Sequence, residues 1–147
     1  MGLWSFVKGA GKSVFNKKDK EPNVDDLLAE IEGLGLEAEG LDIEVDGDKV
    51  KVKGTPKSQE MKEKVILAVG NVNGIASVED DVEGDEPVFH EVQKGDTLWA
   101  ISSKTLGNGS RYNEIFEANK PMLSHPDKIY PGQMLRIPQD KPKGTVA

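Results

Sequence analysis

HEVQKGDTLWAISSKTLG, residues 90–107, decides the fold of the second half of the chain. Phe89 to Gln93 reads as a short strand, Lys94-Gly95-Asp96 as a corner, and Thr97 to Leu106 as a helix that Gly107 stops. Asp96 or Thr97 is the expected cap, because a short side-chain oxygen there accepts from the orphan N–H groups of the first turn. Ser110 opens a second helix, with Tyr112, Ile115, Phe116 and Asn119 along one side. Tyr130-Pro131-Gly132-Gln133 places proline and glycine at the centre of a type II turn that feeds a closing strand in QMLRIP, residues 133–138. The order is strand, helix, helix, strand.

Upstream, Val24, Leu27, Leu28 and Ile31 recur at i, i+3, i+4, i+7, so 24–32 is predicted to be an amphipathic helix. LDIEVDGDKVKVKG, residues 41–54, alternates apolar and charged residues around Asp46-Gly47, which predicts a hairpin with acids facing lysines. Ser58 to Gly70 reads as a second helix, and IASVEDDV, residues 75–82, as a third strand. The fold class is therefore α+β. A helix-hairpin-helix-strand unit with a three-stranded sheet spans 23–83, a linker 84–88, the second unit 89–138 and a tail 139–147. In segment 1–22, Leu3, Val7, Ala10 and Val14 fall at helical spacing, so a short frayed helix docked on the body is expected there. Gly9 and Gly11 weaken it.

Charge bounds the partners. Residues 1–20 carry net +4, residues 21–86 net −13 and residues 87–147 net +2. So acidic a middle repels nucleic acid and anionic lipid and concentrates cations, so neither a nucleic-acid partner nor membrane contact is expected. There are no cysteines, which excludes disulfides, thiolate metal sites and a cysteine nucleophile. Lys8 and Lys12 interrupt the apolar N-terminus, leaving no signal-peptide core, and Phe6 stands where a myristoylation motif wants Ser or Thr. A cytoplasmic monomer is the expectation. No nucleophile elbow or other catalytic spacing occurs, so an enzyme is not expected.

Residues 89–138 resemble a lysin-motif (LysM) domain in V-x-x-G-D-T-L, N-x-I-x-x-A-N and I-Y-P-G-Q-x-L-R-I-P. The preceding unit resembles a BON domain in element order. Together, behind an apolar start, they resemble a small bacterial family of cytosolic BON-plus-LysM potassium-binding proteins. The resemblance implies K+ as the ligand, with rubidium or caesium able to substitute, and a sensor or buffer that changes conformation with the ion. It also carries an alternative, an envelope protein binding peptidoglycan-type glycan through LysM. That groove would use Gly95, Asp96 and Thr97 on the corner and Ile129, Tyr130 and Pro131 on the facing loop. Capping and turn formation explain the same six residues, and the missing export signal weighs against a glycan.

A large monovalent ion suits several neutral carbonyl oxygens, whereas clustered carboxylates favour calcium or magnesium. VGNVNGIA, residues 69–76, offers an irregular turn in which Gly70 and Gly74 permit unusual φ. Carried over from the family, the ligands are the carbonyls of Gly70, Val72 and Ile75, joined by Val7 and Ala10. Two other metal readings fail. Asp42 to Gly47 imitates the start of an EF-hand loop, but Glu44 and Lys53 occupy required ligand positions. His90 and His125 lack further nearby zinc ligands, and His90 is expected to pack where LysM domains often carry an aromatic residue.

Overall fold

The computed structural model describes residues 2–6, 23–72, 74–84, 87–120 and 122–138. Strand β1 (Gly2–Ser5) is followed by α1 (Val24–Gly33), β2 (Leu41–Asp46), β3 (Lys49–Gly54), α2 (Gln59–Gly70) and β4 (Ser77–Val82). The second lobe holds β5 (Phe89–Glu91), α3 (Leu98–Leu106), a 3-10 turn (Gly109–Arg111), α4 (Tyr112–Ala118) and β6 (Met134–Arg136). The architecture is α+β, with the expected element order in both halves.

The first lobe's sheet runs β1-β4-β3-β2. The β2–β3 hairpin pairs Asp42 with Lys53, Glu44 with Lys51 and Asp46 with Lys49, as the charge alternation predicts. On the neighbouring side, Lys51 reaches Glu79 at 3.5 Å and Asp81 at 3.3 Å, so the β3 lysines form a basic row between two acidic strands. Beneath the sheet, Val50, Val52, Val78 and Val82 meet Leu27 and Ile31 of α1 and Val65, Ile66 and Val69 of α2 in one core. α1 is capped by Asn23 and α2 by Ser58, whose side chains accept from Asp26 and Met61 N–H groups.

The sheet has four strands, not three. Gly2–Ser5 pairs antiparallel with β4, with Ser5 opposite Ser77 and Trp4 opposite Val78, instead of starting a helix. The physical reason is a change of period: Leu3 and Ser5 face outward while Trp4 is half-buried and Phe6 is buried, a two-residue alternation. Unpaired backbone groups on the β4 edge reward that conformation, whereas glycine-rich sequence gives a helix little support. The rest of the expected helix, the linker behind it and the tail after Pro138 lie outside the described residues.

In the second lobe, Leu98, Ile101, Ile115, Leu123, Leu135 and Ile137 form the core. Thr97 is the cap of α3, its hydroxyl accepting from Ala100 N–H at 3.1 Å. The Tyr130–Gln133 turn closes with Gln133 N–H donating to Tyr130 C=O at 3.1 Å, and Gly132 takes the φ of 91° that a type II turn needs.

α2 joins the lobes. One side faces the sheet and the other meets the second lobe, so Lys62, Glu63 and Val65 through Gly70 are all buried. Lys62, 1% exposed, pairs with Asp80, 2% exposed, at 3.7 Å and donates to Val82 C=O at 3.2 Å. Glu63 accepts from Arg136 Nε of β6 at 2.6 Å and from Gln59 Nε2 at 2.6 Å. Trp4 of β1 packs on Phe89 of β5 with ring centroids 4.6 Å apart.

Candidate functional site

The turn after α2 is built from helix termination and three anchors. Asn71 N–H closes on Leu67 C=O at 2.9 Å, and Ile75 N–H donates to Val72 C=O at 3.1 Å. Ala76 is held on both sides: its N–H donates to Asp48 C=O of the hairpin loop at 2.8 Å, and its C=O accepts from Phe6 N–H at 2.8 Å. Among the described residues nothing donates to the Gly70 or Ile75 carbonyl. The Val72 carbonyl has one described donor and a second lone pair. α2 carries no basic residue in its last turn, so the negative end of its dipole faces this turn without a side-chain counter-charge there.

Glycine serves this turn in two different ways. Gly74 has φ 107°, a conformation that favours glycine, as expected. Gly70 does not: it ends the helix without positive φ, and a Cβ there would overlap the Phe6 ring. The requirement at Gly70 is close approach, which corrects the φ argument for that residue. Phe6 is thereby seated on the helix end, directly before Val7. Val7 and Ala10 lie outside the described residues, so Gly70, Val72 and Ile75 are the three proposed ligands that the structure brings to one turn. Among the described residues, no three His, Asp or Glu side chains gather where they could hold a metal ion.

The second candidate lies at one end of the β5–β6 ladder. Val92 N–H donates to Gln133 C=O at 2.8 Å and Gly132 N–H to Val92 C=O at 2.8 Å, so the Gly95-Asp96-Thr97 corner and the Ile129-Tyr130-Pro131 segment leave the same end of the ladder. Asp96 Oδ2 accepts from Gln93 N–H at 2.9 Å and meets His90 Nε2 at 3.3 Å. The Gln93 bond, the largest effect, is opposed next by burial and aided by His90, and the balance holds the Asp96 carboxyl below its ordinary range. His90 thus has a polar partner in addition to a packing position. Thr97 caps α3, Ile129 packs on the core, and burial pushes the Tyr130 phenol up.

Two site-shaping residues escaped the sequence. Phe6 could have been found from the period-two alternation of residues 3–6. Asn71 carries no local signal, because its partner is Met134 of the other lobe: its side chain donates to Met134 C=O at 2.9 Å and accepts from Met134 N–H at 2.9 Å.

A four-stranded α+β lobe, docked through its second helix on a strand-helix-helix-strand lobe with a carbonyl-bearing turn beside the joint, defines the class. Residues 90–138 match the LysM domain family. The chain is 46% identical over 149 residues, 95% of its own length and 100% of the relative's, to the potassium binding protein Kbp of Escherichia coli O6:H1. It belongs to that protein's family. It is also 36% identical over 62 residues, 36% of this chain and 28% of the other, to the uncharacterized protein YqbP of Bacillus subtilis.

Proposed function

We propose that this chain binds K+ reversibly through backbone carbonyls of the turn closing α2, acting in the cytoplasm as a sensor or buffer whose conformation responds to the ion. The observation that carries the reading is the seating of Phe6 on Gly70 with its N–H on Ala76, which delivers the chain entering Val7 to both ends of the turn. On this proposal Gly70, Val72 and Ile75 supply neutral oxygens, and Val7 and Ala10 complete the set. Such donors suit a large, weakly hydrated monovalent ion, and the uncompensated end of α2 favours positive charge. The name of the full-length relative agrees. On this reading the protein is a binder, not an enzyme.

Calorimetric titration at matched ionic strength tests it. Potassium, rubidium and caesium should bind while sodium and lithium fail, and deletion of residues 7–11, which spares β1 and Phe6, should abolish tight binding with both lobes still folded. Saturation at a hundred times Kd should stabilise the fold by roughly 2.7 kcal/mol if the unfolded chain does not bind. Equal stabilisation by sodium, or unchanged binding after the deletion, overturns the proposal.

The LysM match and the shared ladder end favour a second reading, a peptidoglycan-type glycan held between Gly95–Thr97 and Ile129–Pro131. Chitin oligomers titrated into the isotope-labelled protein should then shift those six residues first.

A further inference from the structure

A cleft of about 410 Å³ opens between the lobes, a volume in the range of small-molecule pockets, which favour domain interfaces. Its two walls have opposite electrical character. On the first lobe, Leu34 and Asn71 line it; these are the C-caps of α1 and α2, so two helix ends meet there. Each end carries a partial negative charge of about half an electron, and neither last turn holds a basic residue. Glu30 adds its carboxylate to the same wall.

On the second lobe, Lys128 brings an exposed ammonium, and Gln133 brings an unspent donor. Gln133 is only 5% exposed, and its Oε1 accepts from Tyr130 N–H at 3.3 Å. Its amide nitrogen donates to no described group and is not shut off from solvent, so it stands open to an acceptor in the cleft. Between the walls, Leu67, Leu123 and Tyr130 make a largely apolar floor.

We infer that this cleft binds a small zwitterion, its ammonium against the ends of α1 and α2 and its carboxylate against Lys128 and the Gln133 amide. The apolar floor and the Tyr130 ring select a methylated ammonium, which is weakly hydrated and attracted to an aromatic face. The cleft shares the end of α2 with the carbonyl turn, Asn71 standing between Gly70 and Val72, so its occupancy is tested with potassium held constant.

The test is an NMR titration of the full chain, at constant potassium, with trimethylglycine as the probe and tetramethylammonium and acetate as its two halves. Trimethylglycine should shift Leu34, Asn71, Lys128, Tyr130 and Gln133 saturably, and each half should bind at least roughly tenfold more weakly. Lys128→Glu, a change at an exposed position, should weaken trimethylglycine roughly tenfold while leaving the unfolding midpoint in place. The inference is overturned by the absence of saturable shifts, by acetate binding as tightly as the zwitterion, or by an unchanged affinity in Lys128→Glu. N-acetylglucosamine shifting these residues where trimethylglycine does not would also overturn it.

Discussion

Asn71 closes a two-way hydrogen bond with the backbone of Met134, at 2.9 Å in each direction, and so fills the edge of β6 that β5 leaves open. Asn119 does the same for Arg136, accepting from its N–H at 2.7 Å and donating to its C=O at 2.9 Å. Two asparagines, one from each lobe, therefore stand in for a third strand.

Replacing Asn71 by leucine should cost roughly 1–3 kcal/mol, because it leaves a part-buried N–H and C=O at Met134 without partners. Urea unfolding gives the magnitude, and amide exchange at Met134 gives the place. Asn71→Asp keeps the acceptor and loses the donor, so it should fall between leucine and wild type. If the leucine variant left Met134 exchange unchanged, the clasp would not hold the lobes together in solution.

The Lys62–Asp80 pair is nearly solvent-free, so breaking it from one side strands a buried charge. Lys62→Met alone should cost roughly 3–5 kcal/mol, whereas Lys62→Met with Asp80→Leu should recover a large part of that. A coupling energy near zero in the double-mutant cycle would show that the two residues act independently.

These buried charges also mark where the sequence could and could not be read. The hairpin was legible because Leu41 to Lys53 alternate with period two on a sheet with one covered face, and the caps at Asn23, Ser58 and Thr97 were legible because they act over three residues. α2 was legible as a helix but not as a sandwiched one. Lys62 and Glu63 look solvent-facing until Asp80 and Arg136 are brought to them across the fold. The irregular turn after α2 could be placed from its glycines, but the role of Gly70 depends on Phe6, a contact that no local pattern encodes.

Acid should loosen the corner before α3. The folded-state pKa of Asp96 lies below its ordinary value, chiefly through Gln93 N–H and then His90, so the carboxylate stabilises the fold above the unfolded value of about 3.9. That contribution falls away as pH drops below this value toward the folded pKa. Asp96→Asn should flatten the acid limb of stability against pH while changing little at neutral pH beyond a fixed offset. An unaltered acid limb would assign the loss to other carboxylates.

Gly70 and Gly74 should fail for different reasons, and a second substitution can separate them. Gly70→Ala puts a Cβ into the Phe6 ring, so it should release Phe6 and with it the segment that the K+ reading needs. In a Phe6→Ala background that obstacle is gone, and Gly70→Ala should then cost almost nothing further in stability. Gly74→Ala meets backbone strain at φ 107° whatever stands at position 6, and should cost roughly 1–3 kcal/mol in either background. Unfolding midpoints of the six proteins check the stability side, and potassium titration of the same set checks the function. Phe6→Ala should weaken potassium about as much as Gly70→Ala does, because both unseat the same residue. If Phe6→Ala bound potassium as wild type while Gly70→Ala did not, the Phe6 ring would have no part in the site, and Gly70 would act through its own backbone.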